Sequence, residues 1–422
     1  MGVDAARGVA LLGMIAMHSL YVSNDAGRPT WPSMIFSGRA AAVFAVLVGT
    51  GIAFTTGRRR VHLSDGLPTA AALGARALAI GAIGLALGYA DAELREVVLP
   101  YYAVMVALAI PLVFLPTWLV ALLGVAVAAG MPALSHVLRS DLPEPTLENA
   151  TFGHVLDQPV ALLTKLSLTG FYPALPWMAY LCAGLVIGRL NLVRTRVVVL
   201  LLATGAALAV AASAASSILL NRYGGLARIW AAQPDSGLTE AETIELLALG
   251  GEGTTPTSTW WWLTTDAPHT GTPFHLAGTI GAALALLGTM LLASRLTRPV
   301  PRRLAALVQV PLAGAGAMTL TFYVGHIIFI NSEWDNFDAV TGYLLQVAVV
   351  LAVGLACRAT VGRGPLEGLV TALASRARRL ATPASQRALD RRTTDTTSTQ
   401  KAMRVDDDDR NAQSASGPGV RA

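Results

Sequence analysis

Long apolar stretches recur along the chain and alternate with short polar connections. A helix needs about 20 residues to cross the hydrocarbon of a bilayer, and the stretches approach that length. They predict membrane-spanning helices at residues 8–22, 34–54, 70–89, 97–114, 118–134, 172–188, 197–220, 274–293, 304–330 and 341–357. The expected fold class is therefore all-α, a polytopic integral membrane bundle of about ten transmembrane helices.

Charge in the connections predicts how these helices are oriented. Arginine follows the second, sixth, eighth and tenth stretches, whereas the charged connections on the opposite side are acidic. Arginine-rich loops stay in the cytoplasm, so both termini are expected there. The chain is expected to be a multi-pass protein of a cell membrane. Its high alanine and arginine content favours a bacterial inner or plasma membrane.

The chain is expected to divide into three parts. Residues 1–363 contain all the predicted spans and form a single transmembrane domain. Residues 364–380 are amphipathic and arginine-rich, which is typical of a cytoplasmic interfacial helix on an anionic leaflet. Residues 381–422 are polar and predict a disordered cytoplasmic tail.

Composition excludes several classes of protein. The chain is 54% hydrophobic and 14% charged, which is too apolar for an ordinary soluble domain. The net charge of +5 comes from arginines beside apolar stretches, so it does not indicate nucleic-acid binding. The sequence has no Walker loop, GxSxG elbow, CxxC pair or HExxH motif, and it predicts no metal site.

Ionisable side chains in the first span are the clearest candidates for chemistry, because such groups are costly inside a membrane. Arg7 and His18 are eleven positions apart, or three helical turns, so they share one face with Asp4. Arg7 is equally well explained as a positive-inside anchor. A histidine near a helix end is more often a hydrogen-bonded packing residue than a catalyst.

A second polar stripe lies in the ninth span, where Thr319, Tyr323 and His326 recur at helical spacing. Thr319 is expected to make an interhelical hydrogen bond, whereas His326 is a candidate beside His18 at similar depth. Arg39 begins the second span at the same level, and His269 in an outer loop is a weaker candidate.

Four segments resemble a known superfamily. Residues 3–20, VDAARGVALLGMIAMHSL, are similar to the opening of the transmembrane acyltransferase superfamily, and Arg7 and His18 meet the Arg-x10-His spacing of its acyltransferase-3 proteins. Three further segments resemble the YeiB-like and heparan-alpha-glucosaminide N-acetyltransferase-like branch. They are GRAAAVFAVLVGTGIAF (38–54), FYPALPWMAYLCAGLVIGRLNL (171–192) and PLAGAGAMTLTFYVGHIIF (311–329).

The sequence departs from these patterns at two places. Many relatives carry Gly-Arg-Met in the ninth span, where this chain has Ala317 in place of the arginine. The glucosaminide acetyltransferases place their proposed catalytic histidine after the first helix in a His-x-x-Trp setting. Residues 22–33 contain no histidine and retain only Trp31, so the two branches point to different catalytic positions.

The resemblance implies transfer of an acyl group, with acetyl-CoA or another acyl-CoA as cytoplasmic donor. The acceptor would be an extracytoplasmic sugar, envelope glycan or glycolipid. In this scheme Asp4, Arg7, Arg58, Arg59 and Arg60 hold the donor. His18, with His326, is the catalytic base or the transient acyl carrier, and Arg39, Tyr323 and His269 bind the acceptor.

Two other functions remain open from sequence alone. Gly-rich spans and intramembrane histidines also suit a membrane transporter or a lipid or glycan exporter. Against transport, the spans contain no clear inverted repeat and no acidic residue that would couple to protons. A non-catalytic scaffold is the third possibility. The lipid bilayer is an expected partner of all three, and the oligomeric state stays open, a homodimer included.

Overall fold

A computed structural model describes residues 1–90, 96–139, 142, 148–360 and 362–383. Within these residues the fold is all-helical, with one isolated bridge between Ser23 and Pro29 and no strand. The helices of the first half are α1 Gly2–Ser19, α2 Trp31–Phe36, α3 Arg39–Thr55, α4 Gly66–Leu87, α5 Leu99–Leu112, α6 Thr117–Leu138, α7 Phe152–Asp157, α8 Pro159–Thr164 and α9 Ala174–Arg189. Those of the second half are α10 Thr195–Asn221, α11 Gly225–Ala231, α12 Glu240–Leu249, α13 Pro273–Ala293, α14 Pro299–Gly316, α15 Thr319–Ile330, α16 Ala339–Thr360 and α17 Pro365–Ala381.

The described residues contain six helical segments long and apolar enough to cross a membrane. There are up to eight if two bent helix pairs each count as one span. The six are Trp31–Thr55, Leu63–Leu87, Thr117–Leu138, Thr195–Asn221, Pro273–Ala293 and Ala339–Thr360. Two further predicted spans are helical but fall outside this set, because α1 carries Asp4, Arg7 and His18 and α5 has only 14 residues.

The segment containing α3 lies at the centre of the bundle, with 61% of its most apolar window buried. It packs against α9 through Val46, Ala53, Leu181 and Leu185, all buried. By contrast, α6, α10 and α16 bury 11%, 22% and 17% of theirs. Their exposed faces are apolar, which is typical of helices that contact lipid.

The predicted ninth span is not a single straight helix. α14 and α15 are bent by 76° at Ala317 and Met318. Gly316 lies so close to the backbone of Asp4 in α1 that an added Cβ would be 1.7 Å from the Asp4 carbonyl oxygen. Glu367 of α17 then accepts hydrogen bonds from the backbone N–H groups of Leu320 and Thr321, at 2.7 and 3.2 Å. A side-chain carboxylate thus replaces the carbonyls that would have continued the helix.

The amphipathic segment expected at residues 364–380 is helical as α17. It packs along α4 and buries Val370 and Ala374, while Arg376, Arg378 and Arg379 are exposed. It therefore packs against the bundle through α4 and α15. Of the predicted tail, residues 384–422 lie outside the described residues.

Candidate functional site

A cavity with a volume of about 490 Å³ runs between α1, α3, α4, α5, α15 and α17. Pockets of this size accommodate a substantial part of a small organic ligand. Asp4, Arg7 and His18 all line it from α1. Because Arg7 and His18 are eleven residues apart, the cavity extends roughly 16 Å along the axis of α1. We name its two ends by their side chains.

The arginine end is formed by Arg7 of α1, Arg76 of α4 and Arg363, which lies two residues before α17. Arg7 donates to Asp4 at 3.0 Å, and Gly51 of α3 leaves room beside its guanidinium. Arg76 lies close enough to Arg7 for their positive charges to repel each other, and it forms no ion pair within the described residues. Adjacent cations of this kind suit a polyanionic ligand, since guanidinium groups bind phosphate strongly.

The histidine end is formed by His18 of α1 and His326 of α15. Nδ1 of His18 lies 2.9 Å from Nε2 of His326, whose Nδ1 lies 2.5 Å from Oε1 of Gln346 in α16. His326 is buried, whereas His18 is half-buried and lines the cavity. The hydroxyl of Tyr323 lines the same end and accepts from the N–H of Val98 at 3.1 Å. The arrangement offers one imidazole to a ligand and holds the other behind it.

A buried ion pair lies beside the histidine end. Glu96 lines the cavity, and its carboxylate is 3.4 Å from Nζ of Lys165, with side-chain exposures of 10% and 9%. The hydroxyl of Tyr101 also donates to this carboxylate. Burial raises the pKa of Glu96, while Lys165 and Tyr101 oppose the change. Together with Tyr172, which also lines the cavity, Glu96 gives this end a hydrogen-bonding and aromatic wall.

The three arginines expected to help with donor binding lie elsewhere. Arg58, Arg59 and Arg60 are exposed after α3, and none of them lines the cavity. Arg58 lies over the ring of Phe54 at 4.3 Å, and Nε of Arg60 donates to the carbonyl of Phe114 at 2.7 Å. The structure therefore does not bring them together with Arg7.

Two of the expected acceptor residues also lie off the cavity. Arg39 is exposed and donates to the backbone carbonyls of Met34 and Ile35 at the end of α2. His269 accepts from the N–H of Gly38 at 3.1 Å, directly before α3, and its ring packs against Tyr172. Gly38 has a positive φ of 68°, and an added Cβ would be 2.8 Å from His275. His269 thus anchors the start of α3 behind the cavity wall.

The burial of His269 predicts acid sensitivity. Desolvation lowers its pKa to about 4, so the unfolded chain binds a proton here more readily than the folded protein. Its contribution to stability is present above the ordinary histidine pKa of about 6.5 and is lost as pH falls towards 4. We expect the thermal midpoint in detergent to fall between pH 7 and pH 5. His269→Gln should reduce that fall by a few degrees, whereas a fall unchanged from wild type would contradict this role. The exposed His62 provides the matched control, since His62→Gln should leave the fall unchanged.

Sequence reasoning missed several residues that the structure places at the site. Arg76, Glu96 and Arg363 line the cavity, Lys165 pairs with Glu96, and Gln346 bonds to His326. Arg76 is an ionisable residue inside a predicted span, so the cost of burying charge was a sufficient signal. Glu96 lies in one of the acidic connections, and Gln346 is a single amide in the apolar helix α16, so neither gives a signal of its own in the sequence.

The first half of the chain matches a known protein family. The family model described as heparan-alpha-glucosaminide N-acetyltransferase, catalytic, matches residues 1–219, just over half of the chain. The chain belongs to this heparan-alpha-glucosaminide N-acetyltransferase catalytic family. Comparison with curated proteins finds no match. Family membership and the apolar helices together indicate a membrane acetyltransferase.

The matched region of this acetyltransferase-family chain carries only part of the site. It includes Arg7, His18, Arg76 and Glu96, whereas His326, Gln346 and Arg363 lie beyond residue 219. The cavity is therefore completed by α15 and α17, and Gln346 of α16 contacts His326 behind it; the family model reaches none of these helices.

Proposed function

We propose that this protein transfers an acyl group, acetyl in the first instance, from cytoplasmic acyl-CoA to a hydroxyl or amine of an extracytoplasmic carbohydrate or glycolipid. The observation that carries the proposal is the single cavity that joins the arginine end to the histidine end. Its length along α1, roughly 16 Å, is similar to that of the pantetheine arm between the phosphates and the thioester of CoA.

The proposed topology has ten crossings. Six long apolar segments and two bent pairs account for eight, and α1 and α5 add two more. An even number places both termini on one side, and the arginine-rich connections place that side in the cytoplasm. The arginine end then faces the cytoplasm, and the histidine end lies towards the outside of a bacterial plasma membrane.

At the arginine end, Arg7, Arg76 and Arg363 would bind the donor phosphates by charge-assisted hydrogen bonds. At the histidine end, His18 would take the proton from the acceptor O–H or N–H as that atom attacks the thioester carbonyl. The C–S bond breaks, and His18 returns the proton to the departing thiolate. Glu96 and Tyr172 would contact the acceptor, in the place expected for Arg39 and His269.

Arg76→Gln gives a direct test of the donor site. We expect the KM for acetyl-CoA to rise at least about tenfold while kcat changes little, because one charge-assisted phosphate contact is worth about 1.5–3 kcal/mol. The measurement is release of CoA thiol by purified protein supplied with an envelope-glycan acceptor. Arg59→Gln is the matched control, since Arg59 is exposed and lies off the cavity.

Two results would contradict the proposal. An unchanged KM in Arg76→Gln would remove the arginine end from donor binding. Wild-type protein that releases no thiol, yet carries a glycan or lipid across a vesicle membrane, would favour a transporter instead.

A further inference from the structure

Gln346 is a buried amide in the apolar helix α16, beyond the residues matched by the family model. Its Nε2 lies 3.3 Å from the carbonyl oxygen of Gly342 and 3.2 Å from Oγ of Ser19. A carbonyl oxygen only accepts, so the amide nitrogen must be the atom that faces Gly342. The amide oxygen therefore faces Nδ1 of His326, 2.5 Å away.

This orientation determines which nitrogen of His326 carries the proton. An amide oxygen accepts hydrogen bonds, so Nδ1 of His326 must donate to it. In the neutral ring Nε2 of His326 then bears a lone pair and accepts from Nδ1 of His18, 2.9 Å away. The two rings are inclined by only 19° with centroids 5.0 Å apart, as expected for rings joined edge to edge by an in-plane hydrogen bond.

The same constraint reaches His18. Because Nδ1 of His18 donates to His326, the basic nitrogen of its neutral ring is Nε2. We propose that Gln346 is a positioning residue that fixes the tautomers of His326 and His18, so that Nε2 of His18 receives the acceptor proton. This inference rests on the proposed acyl transfer. When Nε2 of His18 is protonated, the ring still donates from Nδ1 to His326, and Gln346 holds His326 in the accepting orientation.

Substitution of Gln346 separates positioning from folding. Gln346→Leu should lower kcat about 100-fold and leave the KM for acetyl-CoA within twofold, because the arginine end is untouched. Gln309→Leu is the matched control, since Gln309 is also a buried amide and donates to the carbonyl of Met290, away from the histidines. The control should keep wild-type kcat, and both variants should keep a wild-type elution profile.

Gln346→Glu provides a readout that a purely structural role would not change. A carboxylate at this position still accepts from His326, so activity should be retained at high pH. The negative charge of Glu at position 346 also stabilises the protonated form of the His18–His326 pair and so raises the pKa of the base. The acidic limb of the pH–rate profile should therefore move to higher pH by about one unit. Among the described residues, the other ionisable groups around the pair are Glu96, Tyr102, Tyr172, Tyr323 and Tyr343 nearby and Arg7 and Arg76 at the arginine end, and the substitution leaves them in place.

Nitrogen-15 spectra of histidine-labelled protein test the tautomers without any activity measurement. In wild type, His18 and His326, assigned by their loss in single His→Asn variants, should both be protonated at Nδ1. In Gln346→Leu, His326 should lose that preference. Wild-type protein with His326 protonated only at Nε2, or Gln346→Leu with wild-type kcat and pH profile, would overturn the role of Gln346. Wild-type protein that cleaves no thioester would instead overturn the proposed function.

Discussion

His18→Ala is expected to lower acyl transfer by about 10²–10⁴-fold, the range typical of a lost general base. His18 is the imidazole that lines the cavity, whereas His326 is buried behind it and bonded to Gln346. Without His18, no described histidine lines the cavity to take the acceptor proton. The KM for acetyl-CoA should change little, because Arg7, Arg76 and Arg363 lie at the opposite end.

The measurement is CoA thiol release by purified His18→Ala at saturating donor and acceptor. His62→Ala is the matched control, because His62 is exposed outside the cavity and should retain full activity. His18 is half-buried at the cavity wall, so its truncation should cost little stability and the variant should remain folded. Wild-type turnover in folded His18→Ala would remove His18 from the chemistry.

The relation between Arg7 and His18 could be predicted because it is local. Both lie on α1, and the period of an α-helix alone places residues eleven apart on one face. The structure places both along one cavity. The helical class was predictable for the same reason, since each span is recognised from its own apolar residues.

Contacts between distant helices could not be predicted in this way. Gln346 meets His326 and Ser19 only because α16 packs beside α15 and α1. The bend between α14 and α15 depends on the contact of Gly316 with α1 and on the hydrogen bond from the N–H of Leu320 to Glu367. Glu367 follows Gly316 by 51 positions in the chain. The pattern of one segment contains neither partner, so the segment alone reads as one continuous span.

The run Arg58, Arg59 and Arg60 shows how one residue type can serve two purposes. Arginine at a helix end satisfies the positive-inside rule whether or not it binds a ligand. The three side chains are exposed, whereas Arg76 lies within the predicted span of α4 and lines the cavity. Depth in the membrane therefore distinguishes these arginines better than clustering does, because a charge is costly to bury without a partner.

Gly184→Val is expected to cause a large loss of stability, because it separates the two central helices. An added Cβ at Gly184 of α9 would be 1.9 Å from the carbonyl oxygen of Val46 in α3, and one at Gly49 would be 2.2 Å from that of Leu181. Thr50 also bridges the helices by donating to the carbonyl of Gly184 at 3.2 Å. The atoms in the way are backbone, which cannot move aside as a flexible side chain would.

We expect Gly184→Val to cost at least the ~3 kcal/mol at the upper end of ordinary overpacking, with a large fall of the thermal midpoint in detergent or no folded protein. Gly74→Val is the matched control: Gly74 lies inside the apolar helix α4, and an added Cβ has no neighbour within 4 Å. Both variants make the same change of helix propensity from glycine to valine, so the difference between them isolates the crossing. Equal midpoints would show that α3 and α9 are not held at this distance. Because Gly51 of α3 lies beside the guanidinium of Arg7 at the cavity wall, movement of α3 should also weaken donor binding in any Gly184→Val protein that folds.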